Sequence, residues 1–169
     1  FTVARDGSAI YPADRRPDLP TENFVKRVVG VPGDEIRLHG ASLIVNGVAV
    51  TGPPFDERYE APTGRSLIQR PEELDSHHYR VLDDPNLERD AVSVNVEPGR
   101  YFVSGDNRLH SNDSRYWGTI SRNDVIGEVT KIYWSWNFNG SPALLFNPLE
   151  WVRLLRSETR WERVGLAPS

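Results

Sequence analysis

Residues 24–50, FVKRVVGVPGDEIRLHGASLIVNGVAV, constrain the fold more than any other stretch of the chain. Their apolar residues fall in short runs, each closed by a turn signal. Residues 24–29 read as a strand. Val31-Pro32-Gly33-Asp34 sets glycine after proline, the chemistry of a type II turn. Residues 36–38 and 42–45 read as the next strands. Asn46-Gly47, between Val45 and Val48, is the strongest short-range hairpin signal a sequence carries. Residues 24–50 are therefore predicted to form a β-meander, and the class is mainly β.

The rest of the chain is organised around that unit. Residues 1–4 read as a short strand, and residues 5–21, with three prolines, as a long loop. Residues 51–90 are rich in Pro, Asp, Glu and Arg and show little periodicity. They read as an excursion from the core, with one hairpin drawn from strands at 79–82 and 91–96. Core strands resume at 100–104 and 125–136. From residue 148, Leu149, Trp151, Val152, Leu154 and Leu155 recur near helical spacing with Arg153, Arg156 and Arg160 among them. That pattern predicts a short basic amphipathic helix or tail. One domain of 169 residues is expected: a core at 1–50 and 97–147, a cap-like insert at 51–96 and a tail at 148–169.

Composition removes several functions. The net charge of −4 argues against a nucleic-acid platform. With no cysteine, disulfides, thiol catalysis and Cys-based zinc sites are excluded. His77 and His78 are adjacent and would point to opposite faces of a strand, and His110 with Asp106 and Asp113 matches no metal motif, so no metal or other cofactor is expected. No apolar run approaches the roughly 20 residues that cross a bilayer. The chain opens on Phe1-Thr2-Val3-Ala4, a strand already under way, and contains no methionine. It is expected to be a piece of a longer protein, with any membrane anchor preceding Phe1.

Chemistry is concentrated in two segments. In the first, Lys26 interrupts an apolar run, and alternation puts Phe24, Lys26 and Val28 on one face. Burying an ammonium lowers its pKa from about 10.4, and a lysine forced neutral is a base. Taken alone, Lys26 favours the ordinary reading, a stem lying along apolar surface with its ammonium in water. The second segment is residues 105–118, GDNRLHSNDSRYWG. A loop this polar is ordinarily solvated or stiffened by its own turns. Tyr116-Trp117-Gly118 should nonetheless pin it to the core. A pinned polar loop must pair its charges, and Asp113 with Arg115 and Asp106 with Arg108 are the pairs expected.

Together the two segments resemble the type I signal peptidases, the Ser/Lys membrane proteases of bacteria. Lys26-Arg27-Val28-Val29-Gly30-Val31-Pro32-Gly33-Asp34 resembles the family's lysine motif without departure. Gly105-Asp106-Asn107-Arg108 and Ser111-Asn112-Asp113-Ser114-Arg115-Tyr116-Trp117-Gly118 resemble its second signature. Leu109 and His110 depart from it, where Asp and Asn are common. Residues 160–165, RWERVG, are similar to a frequent ending in the family. The resemblance covers most of the chain outside residues 51–90.

The resemblance implies a β fold of coiled antiparallel sheets, shared with self-cleaving repressors, and a serine endopeptidase that removes signal peptides from secreted preproteins. It implies that Lys26 is the general base and that Ser111 orients the lysine amine. Asp113 and Arg115 would be a supporting ion pair, and Arg27, Asp106, Asn107 and Arg108 would hold the loop near the lysine. Ser114 and Gly105 would be structural. The implied partners are preproteins and a membrane surface, with no nucleic acid, and the implied place is the outer face of the cytoplasmic membrane. The family's nucleophile lies upstream of the lysine in a Ser-Met-x-Pro motif, which this chain lacks. Ser8 is the only serine before Lys26 and reads as an ordinary turn residue. A self-cleaving repressor-type protein and a non-catalytic β domain remain as alternatives. The five tryptophans, all beyond residue 116, read first as core and second as membrane-interface residues.

Overall fold

The computed structural model describes residues 1–61 and 63–131. The chain divides into two units, Phe1–Ile126 and Gly127–Ser169, and every element below belongs to the first. Residues 132–136 of the strand expected at 125–136, the amphipathic segment from 148 and four of the five tryptophans lie outside the described residues.

β1 (Thr2–Asp6) and β2 (Ala9–Pro12) form a hairpin, and β3 (Thr21–Asn23) returns along the other side of β1. The long loop expected over residues 5–21 is therefore interrupted. Asp6 pairs with Ala9, and Gly7 takes a φ of +59° at the first central position of a two-residue turn. Glycine there suits a type II′ hairpin, a signal that the prolines downstream obscure. β4 (Arg27–Gly30), β5 (Glu35–His39), β6 (Ser42–Val45) and β7 (Val48–Ala49) follow. Both turns form as expected. Gly33 has a φ of +96°, and Asp34 N–H donates to Val31 O at 3.0 Å. Asn46 and Gly47 have φ values of 51° and 80°. The strand expected over 24–29 is split, because residues 24–26 lie outside any ladder and pairing starts at Arg27.

Residues 51–90 hold more order than their sequence shows. β8 (Arg58–Glu60), β9 (Ser66–Leu74) and β10 (His77–Asp83) make a three-stranded antiparallel sheet. Residues 79–82 pair with β9 rather than with 91–96, so the expected hairpin is corrected. β11 (Val92–Asn95) pairs instead with β5, extending that sheet to the order β11-β5-β6-β7. β12 (Arg100–Ser104) pairs with β4, α1 (Ser114–Trp117) is one turn of helix, and β13 (Ile120–Ser121) pairs with β12. Residues 125–131 form no strand. The described residues are mainly antiparallel β, as expected.

β12 separates two apolar clusters. Successive strand residues face opposite ways. Phe102 packs with Val29, Ile36, Leu38, Leu43, Val50 and Val96. Val103 packs with Trp117 and Ile120 on the other side, where Phe1 and Ile10 also lie. The segment after β12 thus leaves a strand fixed on both faces.

Candidate active site

A β-bulge sets the position of Lys26. β12 pairs Phe102 with Gly30, then Val103 with Val28 and Ser104 with Arg27, so Val29 is an extra residue on β4. Bulges bend a strand and re-aim its side chains. Lys26 lies one step beyond the last pair, and Gly105 lies one step beyond Ser104. A Cβ on Gly105 would sit 2.2 Å from Ser111 Oγ and 3.4 Å from Lys26 Nζ. Glycine at 105 therefore leaves the space in which the amine and the hydroxyl meet. Lys26 Nζ donates to Ser111 Oγ at 2.8 Å. Burial lowers the lysine pKa from its ordinary value, against the opposing charges of Asp113 and Asp106 and with help from Arg115. The Phe24 ring centroid lies 5.8 Å from Nζ, while Val28, which alternation placed on the same face, is 42% exposed.

The loop carrying Ser111 is tied down from within. Asp113 is fully buried. Its carboxylate accepts from Gly105 N–H at 2.9 Å and from Arg115 Nε and Nη2, each at 2.7 Å. Burial alone would push this carboxyl up. The bonds and charge of Arg115, with hydrogen bonds from Gly105 and Ser111, outweigh burial and hold it below the ordinary range. Ser111 is thus hydrogen-bonded both to the lysine amine and to a carboxylate. Ser114 Oγ accepts from Val103 N–H at 3.0 Å, which fixes the start of α1 to β12.

Asp106 and Arg108 do not pair with each other, contrary to expectation. They are two residues apart but face different partners. Asp106 takes a bidentate pair from Arg27, with both bonds at 2.9 Å, and the Arg27 guanidinium stacks 3.7 Å from the Tyr79 ring. Arg108, fully buried, pairs with the equally buried Glu72 of β9 and donates to Ala41 O at 3.2 Å. Asn107 forms a parallel bridge with Leu82 of β10. Tyr116 is 52% exposed, so Trp117, at 8%, does most of the pinning.

A cavity of about 500 Å³ opens beside Ser111, lined by Ile10 and Tyr11 of β2 and by Arg89, His110, Tyr116 and Trp117. Ser8, exposed in the β1–β2 turn, lies on its border. Among the described residues no group of three or more His, Asp or Glu side chains is arranged to hold a metal ion.

Residues 11–134 match the family model described as signal peptidase, peptidase S26. The chain belongs to the signal peptidase family. The signal peptidase I of Bacillus caldolyticus is 39% identical over 113 residues, covering 67% of this chain and 54% of that protein. The signal peptidase IB of Staphylococcus aureus (strain MRSA252) is 35% identical over 124 residues, covering 70% and 59%. The signal peptidase I of Pseudomonas fluorescens is 30% identical over 142 residues, covering 72% and 47%. The chain thus spans about half the length of the curated relatives it matches. A crystal structure of a signal peptidase I from Enterococcus faecalis V583 is 26% identical and covers 76% of this chain and 92% of that one. Its TM-score of 0.37 is too low to carry an argument about the fold.

Several residues around the candidate site of this signal peptidase family member escaped the sequence reading. Glu72, Tyr79, Asp84, Arg65 and Arg89 all fall within residues 51–90. Asp84 Oδ2 lies 2.8 Å from His110 Nε2, and Arg65 Nη1 lies 3.0 Å from His110 Nδ1. Arg89 Nη2 donates to Leu109 O at 2.6 Å. A buried arginine in the signature loop needs a carboxylate partner, and that requirement is the one sequence signal that could have prompted a search for Glu72.

Proposed function

We propose that the full-length protein is a serine endopeptidase that removes N-terminal signal peptides from secreted preproteins through a Ser/Lys dyad, with Lys26 as the general base. The observation that carries this reading is a half-buried amine, lowered in pKa by burial and held 2.8 Å from the Ser111 hydroxyl. An ammonium has no lone pair and cannot accept a proton. Burial favours the neutral amine, which can.

Ser111 orients that amine. The Asp113 carboxylate, held ionised, can only accept, so the Ser111 hydroxyl gives its proton to Asp113 and its oxygen faces Nζ. Nζ spends one N–H on Ser111, and its lone pair is left to point elsewhere, toward an attacking serine. In the reaction, neutral Lys26 takes the proton of the serine hydroxyl as its oxygen adds to the scissile carbonyl. The resulting ammonium passes that proton to the departing amine, leaving an acyl-enzyme. Lys26 then takes a proton from water, hydroxide displaces the serine oxygen, and the proton returns to serine. The attacking serine is the one the family carries in its Ser-Met-x-Pro motif, so the activity belongs to the full-length protein. Its site of action is the outer face of the cytoplasmic membrane.

The second reading is a non-catalytic relative of the same fold. Replacement of Lys26 by Ala in the full-length protein separates the two. Processing of a preprotein should fall by at least about 10³-fold, and near-normal processing would remove the lysine from the mechanism. Ser111→Ala should lower kcat by about 10²-fold through loss of amine orientation, with little change in KM.

A further inference from the structure

We propose that the cavity beside Ser111 binds the first residues on the carboxyl-terminal side of the scissile bond, extended along the outer edge of β2, with Arg89 selecting an acidic side chain there. The inference rests on the peptidase reading.

The register of the first sheet shows what β2 offers. Arg5 N–H turns toward β3, donating to Pro20 O at 2.9 Å. Its neighbours Ala4 and Asp6 therefore turn toward β2, where they pair with Tyr11 and Ala9. Ile10 alternates with those two, so its N–H and C=O face away from β1. Among the described residues β2 is an edge strand, and both groups point to the side an added strand would occupy. Ile10 and Ser111 line the same cavity, so a chain paired to β2 would run beside the hydroxyl that holds the lysine amine.

Charge sets the chemistry of the occupant. Arg27, Arg100, Arg108 and Arg115 each have a carboxylate in salt-bridge range. Arg89 has none among the described residues. Its fork reaches only two neutral oxygens, Leu109 O and the Tyr116 hydroxyl. Neutral acceptors orient a guanidinium without cancelling its charge. Arg65, at His110, also lacks a carboxylate among the described residues. The nearby carboxylate of Asp84 is engaged by His110 and by Asn86 N–H at 3.0 Å. Net positive charge at the cavity of a chain with net charge −4 suits a carboxylate and does not suit the apolar stretch of a signal peptide.

The test uses full-length protein and peptides identical except for Asp or Lys at the second residue after the cut. The wild type should favour the Asp peptide in kcat/KM by about fivefold at low salt. High salt should shrink that ratio. Arg89→Gln should bring it close to one, and Arg89→Lys should keep most of it. Because Arg89 also holds the Leu109 carbonyl, absolute activity will fall in both variants. The ratio between two peptides on one enzyme sample cancels that loss. Shortening the segment after the cut from four residues to one should raise KM several-fold by removing the β2 pairing. A wild-type enzyme indifferent to both charge and length, or a preference that survives Arg89→Gln unchanged, overturns the proposal. A wild-type enzyme that cleaves neither peptide overturns the peptidase reading itself.

Discussion

Lys26 and Gly105 act as one device. The lysine needs a dry, aimed amine, and the glycine supplies the space in which a hydroxyl from a loop 85 residues away can aim it. As the proposed general base, Lys26 would react only as the neutral amine, so kcat/KM should rise with pH and level off above the lysine's pKa in the free enzyme. Burial lowers that pKa, so the inflection should fall below the 10.5 of an ordinary lysine. A pH–rate profile checks this, and an inflection at or above 10.5 would remove burial from the account. Gly105→Ala would put a methyl 2.2 Å from Ser111 Oγ, and the serine must move. An ångström of misplacement is worth about 10²-fold in rate. Gly105→Ala should therefore lower kcat on that order while leaving KM and the far-ultraviolet spectrum near wild type.

Among the elements, β9 and β10 do the least expected work. They hold the signature loop through Glu72 and Leu82, and through Tyr79 by way of Arg27 and Asp106, and the buried Glu72–Arg108 pair is the deepest of these ties. Removing one partner of a buried pair leaves an uncompensated charge, at about 3–5 kcal/mol. Glu72→Ala should therefore lower unfolding free energy by about that much in urea. The double variant Glu72→Met with Arg108→Met should recover much of the loss. The sequence could not reveal this tie. β9 buries Leu67 and Glu72, five residues apart, so its two buried positions fall out of the period-two phase of a flat strand, and Pro71 adds to the disguise. By contrast, the meander was legible because Gly33 and Asn46-Gly47 demand particular turns whatever surrounds them. The Asp113–Arg115 pair was legible for the same local reason, both residues sitting in one short loop. Asp106 and Arg108 misled because adjacency in sequence placed them together, while β4 and β9 supplied better partners from 79 and 36 residues away.

For the whole molecule, the site's ionisable groups set how stability follows pH, and the two ends of the scale have different owners. The folded state holds the Asp113 carboxyl below its ordinary 3.8. Its contribution is complete above 3.8, where both states are ionised, and is lost as pH falls through the folded value. Asp14, held down by its bonds to Arg100, acts in the same direction, while Asp124, raised by burial, opposes them. Lys26 drives a gain on the alkaline side, which Tyr79, its phenol raised by burial, opposes as pH approaches 10. Between its lowered folded pKa and 10.5 the unfolded chain binds more protons than the folded one, so stability rises with pH there. Urea unfolding from pH 2 to pH 10 should therefore show an acid loss and an alkaline gain. Lys26→Met should remove the alkaline gain, while Asp113→Asn should flatten the acid limb and, by removing a charge that holds the Lys26 pKa up, enlarge the alkaline gain. An alkaline gain that grows in Asp113→Asn would show that the site's two charges are coupled through the fold. An alkaline gain that persists in Lys26→Met would mean that some other group carries it.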